Sequence, residues 1–62
     1  MKYEELTEYQ QNKLIETLSH WLEFTNGNIG LSGRITNRLL FLNFTNAEYK
    51  RICSKKGIIK KK

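Results

Sequence analysis

The residues of this chain that could do chemistry are mainly cations, and they lie in its second half. Residues 1–31 contain two Lys and five Glu, whereas residues 32–62 contain nine Lys or Arg and one Glu. Guanidinium and ammonium groups bind phosphate and carboxylate oxygens, and an Asn side chain pairs with the edge of adenine. We therefore expect an anion-binding surface whose candidate residues are Arg34, Arg38, Asn46, Lys50, Arg51, Lys55 and Lys56.

Residue sets for catalysis or for a bound metal cannot be assembled from this sequence. His20 lies near Glu16 and Glu23, but no nucleophile or second base stands at a catalytic spacing. One Cys and one His cannot supply four zinc ligands, and Cys53 fits a packed, reduced thiol. The Gly-rich segment 26–33 lacks the flanking residues of nucleotide-binding loops, so it is interpreted as a flexible connector. We predict neither enzyme activity nor a cofactor.

The cellular location of the protein is predicted from two sequence patterns, that of a signal peptide and that of a membrane-spanning helix. The first ten residues have no apolar region of the signal-peptide type. The longest apolar run, 39–42, is far shorter than the roughly 20 residues of a membrane-spanning helix. The bias to Lys, Asn and Ile suggests a low-GC bacterial or phage genome. We expect a protein of the bacterial or phage-infected cytoplasm, without a membrane partner.

A chain of 62 residues forms one small domain with a limited core. We assign residues 1–57 to a single helical domain and residues 58–62 to a basic C-terminal tail. A lone Cys excludes an internal disulfide, so helix packing or a homodimer has to supply the missing burial.

The first and third of three predicted helices have clear boundaries. The segment 7–10 matches a capping box, and an apolar stripe follows it, so we place the first helix over 7–25 with Gly27 as its stop and Trp21 as its main core residue. A second capping box, 45–48, starts a helix over 46–56 that Gly57 ends. Phe44 is expected to pack on Tyr49.

The middle segment allows two interpretations. Ser32 can cap a helix over 33–42, and this helix places Arg34, Asn37 and Arg38 on one polar side. The same residues could form a β-hairpin over 31–44, because a short apolar run does not distinguish the two. We favour the helix, which makes the fold class all-α, with α+β as the alternative.

The last two predicted helices, joined at 43–45, have the spacing of a helix-turn-helix. The resemblance covers about 35–54, a third of the chain, and Leu42, Phe44, Tyr49 and Ile52 fall on positions that are apolar in that family. Arg38 and Leu39 depart from the pattern, which has an apolar and a small residue there. The resemblance implies that the third helix enters the major groove of DNA.

Two functions therefore follow from the sequence as expectations. The first is a small basic DNA-binding regulator of phage or mobile-element type, which uses the candidate cations and Asn46. Neutralising six phosphates would give a log–log salt slope of about −5. The second is a small inhibitor or adaptor that docks on an acidic protein surface, with Tyr9, Phe41 and Tyr49 as aromatic anchors if they are exposed.

Overall fold

The computed structural model describes residues 2–57, which form a short 3-10 turn and three α-helices. The 3-10 turn is Tyr3–Glu5, and the helices are α1 (Glu8–Phe24), α2 (Ile29–Leu40) and α3 (Asn46–Lys56). The predicted all-α class is confirmed. No strand occurs within residues 2–57, so the alternative hairpin at 31–44 is wrong. The predicted basic tail, 58–62, lies outside the described residues.

Helix α1 begins and ends as its sequence predicts. Thr7 Oγ1 accepts the Gln10 amide at 3.2 Å, and the Gln10 side chain accepts the Thr7 amide at 3.0 Å, so the capping box is complete. After the helix, Asn26 and Gly27 both adopt positive φ, which turns the chain back within a few residues. This tight turn sets α2 antiparallel to α1.

Helix α2 begins four residues earlier than predicted, because Asn28 rather than Ser32 caps it. Asn28 Oδ1 accepts the Leu31 amide at 3.1 Å. The expected flexible connector is therefore largely the first turns of a helix. Ser32 is instead fully buried inside the helix, with its hydroxyl 2.8 Å from that of Thr25. The Thr25 hydroxyl already donates to the Trp21 carbonyl, so Ser32 is the donor in this pair.

Helix α2 also ends earlier than predicted, at Leu40. Phe41 adopts the left-handed conformation with φ 57°, and the Leu42 amide then bonds the Asn37 carbonyl at 2.8 Å. This is the closing hydrogen bond of a Schellman-type helix end. Phe41 occupies its left-handed position, which is usually held by Gly.

Helix α3 has the predicted boundaries. Thr45 Oγ1 accepts the Glu48 amide at 3.1 Å, Phe44 packs edge-on against Tyr49 with ring centroids 5.6 Å apart, and Gly57 ends the helix with φ 63°. The second half of the predicted capping box is absent, since the Glu48 carboxylate accepts from the Tyr3 amide and from Arg51 rather than from Thr45.

Helix α2 contacts both α1 and α3, and buried side chains from α1 and α3 form one core cluster. The buried residues of α2 are small or polar, and its large side chains Ile29 and Leu40 pack against the core while only partly buried. Trp21, predicted as the main core residue, is only partly buried and stacks edge-on with His20 and Phe24. The buried apolar residues are Tyr3, Leu14, Leu18, Leu22, Phe44, Tyr49, Ile52 and Cys53.

Close approach of the helices explains the small residues of α2. Ser32, Gly33 and Thr36 are all buried, and the Thr36 hydroxyl donates to the Ser32 carbonyl at 2.8 Å within the helix. Every buried side-chain polar atom of the described residues has a hydrogen-bond partner, as a stable core requires. Across residues 2–57, no helix has the length and apolar character needed to cross a bilayer.

Candidate functional site

An open cleft of about 210 Å³ lies at the surface where α2 meets α3. Arg34 lies on its α2 side and Asn46 on its α3 side, with Gly33 and Tyr49 also in its lining. Within the described chain, none of the residues that line this cleft is acidic. The cleft is therefore an opening with cationic and amide character at its rim.

Arg38 and Lys50 are not in the lining of this cleft but lie one helical turn from residues that are. Each lies four residues after Arg34 or Asn46 on the same helix, a spacing that places side chains one turn apart on one side. Arg34, Arg38 and Lys50 are exposed, and none of them takes part in an ion pair within residues 2–57. We call Arg34, Arg38, Asn46 and Lys50 the cleft group.

Asn37 also lines the cleft, and its side chain fixes the position of α3 relative to α2 by hydrogen bonds. Its amide Nδ2 donates to the Phe44 carbonyl at 2.9 Å, and its Oδ1 accepts the Phe44 amide at 3.2 Å and the Tyr49 hydroxyl at 2.6 Å. One side chain of α2 thus holds both the inter-helix turn and α3. Burial raises the pKa of Tyr49, so its hydroxyl stays protonated and remains a donor to Asn37.

Arg51 and Lys55 lie on the other side of α3, where they bind acidic residues. The Arg51 guanidinium contacts the carboxylates of Glu4 at 2.7 Å and Glu48 at 3.0 Å, and the Lys55 ammonium contacts Glu4 at 3.3 Å. Hydrogen bonding from Arg51 lowers the pKa of Glu4 to about 2 and also lowers the pKa of Glu48. These contacts tie the Tyr3–Glu5 turn to α3.

The seven predicted site residues therefore divide into two groups. Arg34 and Asn46 line the cleft, and Arg38 and Lys50 lie one helical turn from them without an ion pair in the described chain. Arg51 and Lys55 are bound to carboxylates, and Lys56 lies 5.5 Å from the centre of the Tyr3 ring. Successive residues of a helix are about 100° apart, so Lys50 and Arg51 point to different sides of α3. The predicted residues do not form one continuous surface.

The Glu4 contacts predict a specific acid dependence of stability. A carboxyl whose folded pKa is about 2, against an ordinary value of 4.5, stabilises the fold fully above pH 4.5. This contribution is lost as the pH falls from about 4.5 to about 2. In Glu4→Gln, we expect the midpoint of thermal unfolding to fall less between pH 5 and pH 2 than in the parent, as measured by circular dichroism. Glu5→Gln is the control, and an equal slope for Glu4→Gln and the parent would contradict the role of Glu4.

A second surface carries several of the exposed large hydrophobic side chains. On α2, Leu31 and Leu39 are eight residues apart and so lie on one side, with Phe41 directly after the helix end. A depression of about 270 Å³ brings Tyr9 of α1 together with Leu39 and Phe41. We call Tyr9, Leu31, Leu39 and Phe41 the apolar face, and their exposed fractions are 73%, 43%, 54% and 93%. Phe24, which is 74% exposed, packs edge-on against Trp21.

The apolar face lies on the side of the α1–α2 pair that is turned away from α3. Gly33 of α2 faces Tyr49 of α3, and Leu31 and Leu39 lie about 160° and 120° from Gly33 around the helix. The sequence predicts Tyr9, Phe41 and Tyr49 as aromatic anchors if they are exposed. Tyr9 and Phe41 are exposed, but Tyr49 is 1% exposed and cannot serve as one.

Cys53 is a core residue, as its isolation in the sequence indicated. Its side chain is 2% exposed, and burial raises the pKa of its thiol. The thiolate is the reactive form, so a buried thiol of raised pKa is chemically inert in the folded protein.

Comparison of the chain with protein-family models, curated proteins and solved structures found no match. The function therefore has to be inferred from the cleft group and the apolar face alone.

Proposed function

We propose that this protein binds duplex DNA through the cleft group, as a small regulator of the kind that phages and mobile elements encode. The observation that carries the proposal is the cleft itself, which has Arg34 and Asn46 at its rim and no acidic lining residue. Arg38 and Lys50 lie one turn further along the same helices and have no ion-pair partner in the described chain. Cations with no internal partner are available to phosphate oxygens.

The positions of the cleft group favour a division of roles. Arg34 and Arg38 on α2 and Lys50 on α3 would contact phosphates, which fixes the register of the protein on the duplex. Asn46 occupies the first position of α3, where its amide can reach a base edge. Glu48 is held on the other side by Arg51 and Tyr3, so it does not oppose phosphate at the cleft.

The helix-turn-helix arrangement remains a prediction. The connection between α2 and α3 spans residues 41–45, and Asn37 binds it to both helices through the Phe44 backbone and the Tyr49 hydroxyl. A fixed turn of this kind suits a recognition helix, whose residues must keep their spacing relative to the backbone contacts.

The test is a gel-shift titration on duplex DNA over a series of salt concentrations. Because Arg51 and Lys55 are engaged with carboxylates, we expect about three phosphate contacts and a log–log slope near −3, rather than about −5. Arg34→Gln or Lys50→Gln should each reduce the slope by about one. Lys2→Gln removes the same charge away from the cleft and should leave affinity unchanged. A salt-independent response would remove the nucleic-acid proposal.

Asn46→Ala separates sequence-specific binding from general attraction to an anion. We expect it to reduce the preference for a specific duplex while affinity for random DNA is kept, since the phosphate contacts remain. If the cleft instead meets an acidic protein surface, Arg34→Gln weakens binding and Asn46→Ala does not.

Docking on a protein is the second candidate, and the exposure of Tyr9 and Phe41 favours it. Aromatic residues with large accessible area are typical anchors of protein interfaces. This surface is distinct from the cleft group, so both functions can coexist in one molecule.

A further inference from the structure

We infer that Arg51 and Lys55 form a second anion site, suited to a phosphate group, which the Glu4 carboxylate occupies as an internal ligand. The Arg51 Nη2 atom lies 2.7 and 2.8 Å from the two Glu4 carboxylate oxygens, and the Lys55 ammonium lies 3.3 Å from one of them. Guanidinium and ammonium groups that converge on one carboxylate offer the same donors to phosphate oxygens. This site is separate from the cleft group and does not depend on DNA binding.

The two carboxylates that contact Arg51 are held differently. The Glu48 side chain is 14% exposed, and its carboxylate also accepts the Tyr3 amide. The Glu4 side chain is 48% exposed, and the two cations that bind it are themselves about half exposed. Glu48 therefore orients the guanidinium, whereas Glu4 is the ligand that an incoming anion can replace.

Replacement of Glu4 requires only a rotation of its side chain. Tyr3 is buried in the core, and the Gln11 side chain donates to the Tyr3 carbonyl at 3.1 Å. These contacts hold the Tyr3–Glu5 turn independently of the Glu4 carboxylate. The site can thus open while the turn stays packed on the helices.

The internal ligand lowers the affinity of the site for other anions. Hydrogen bonding from Arg51 lowers the pKa of Glu4 to about 2, so the carboxylate is charged throughout the neutral range. An incoming phosphate competes with this charge, and its apparent affinity falls in proportion to the fraction of molecules in which the site is open. The Glu4 contact is therefore autoinhibitory.

Titration with inorganic phosphate, followed by the amide NMR signals of residues 51–55, tests the inference without DNA. We expect Glu4→Gln to bind phosphate about tenfold more tightly than the parent, because the competing charge is gone. Glu5→Gln is the matched control, since it removes the same charge from the same turn and its carboxylate accepts the Lys2 amide instead. Its phosphate affinity should equal that of the parent. Circular dichroism establishes that each variant is folded before the titration.

A second substitution identifies the cations that hold the phosphate. In the Glu4→Gln background, Lys55→Gln should remove most of the gain in phosphate affinity, whereas in the parent it should have little effect. Equal phosphate affinity of Glu4→Gln and Glu5→Gln overturns the inference. A gain in Glu4→Gln that Lys55→Gln leaves intact also overturns it.

Duplex DNA distinguishes a backbone phosphate from a free one as the ligand of this site. If the backbone reaches Arg51 and Lys55, the log–log salt slope of Glu4→Gln should be steeper than that of Glu5→Gln by about one. Equal slopes, with phosphate binding retained, support the site with a small phosphate compound as its ligand. If no variant binds DNA but Glu4→Gln binds phosphate, the DNA proposal fails and the second anion site stands.

Discussion

Gly33→Ala is expected to destabilise the protein by about 1–3 kcal/mol, the range typical of an overpacked core. A Cβ at this position would stand 2.5 Å from Cδ2 of Tyr49 and 3.0 Å from two further atoms of the same ring. Tyr49 cannot move aside, because its side chain is buried and its hydroxyl is bound to Asn37. The gain in helix propensity from Gly to Ala, about 0.5–1 kcal/mol, is too small to offset the clash.

Gly30→Ala is the matched control in the same helix. Its Cβ would meet only side-chain oxygens, of Asn28 at 3.6 Å and Asn46 at 3.8 Å, which are ordinary contacts. The residue lies near the helix start, so we expect a stability that is equal or slightly raised. Urea unfolding followed by circular dichroism compares the two variants. Equal stability of Gly33→Ala and Gly30→Ala would show that α2 and α3 are not packed as closely as the structure has them.

Asn37→Ala should cost about 3 kcal/mol, because one side chain satisfies three hydrogen-bonding groups. The substitution leaves the Phe44 amide, the Phe44 carbonyl and the buried Tyr49 hydroxyl without their partner. Each unsatisfied buried group costs about 1–3 kcal/mol, and water reaching the partly exposed turn offsets part of the sum. The same unfolding measurement checks the value.

Tyr49→Phe isolates one of these three bonds. It removes only the hydroxyl, so we expect a loss of about 1 kcal/mol. In the Tyr49→Phe background, Asn37→Ala should cost less than it does in the parent, since one group that it would orphan is already absent. Strict additivity of the two changes would show that the 2.6 Å contact contributes nothing to stability.

The sequence predicted the elements whose signals are local. The capping residues Thr7 and Thr45 and the stop Gly57 act within a few residues of their own position, and the structure has all three in those roles. At the end of α1, Asn26 takes the first left-handed position after the C-cap, and the predicted stop Gly27 takes the next one. Helix class and the boundaries of α1 and α3 were therefore predictable.

The start of α2 was not predictable from local signals. Gly30 and Gly33 are poor helix formers, so the segment 26–33 had the pattern of a loop. The structure has a helix there because Gly33 allows the Tyr49 ring to approach, a contact between residues sixteen positions apart. Tertiary packing overrides propensity in such a segment.

The division of the cations into those near the cleft and those bound to carboxylates was also not predictable from the sequence. Arg51 has an acidic neighbour in Glu48, three residues before it, but its shorter contact is with Glu4, 47 residues away in the chain. The local sequence distinguishes Arg51 from Lys50 only by Glu48, and it contains no signal for the contact with Glu4. Charge counting identified the basic half of the molecule, and only the fold identifies which cations are available to a ligand.

The narrow spacing of the three helices at Ser32, Gly33 and Thr36 constrains how this chain can diverge. Residues of larger volume at these positions would force the helices apart, whereas the outward positions of α2 tolerate most substitutions. Asn37 completes the set, because no other side chain offers a donor and an acceptor in the same short, planar arrangement. Distant relatives should therefore preserve the pattern Ser-Gly-x-x-Thr-Asn of residues 32–37, even after the remainder of their sequences has become dissimilar.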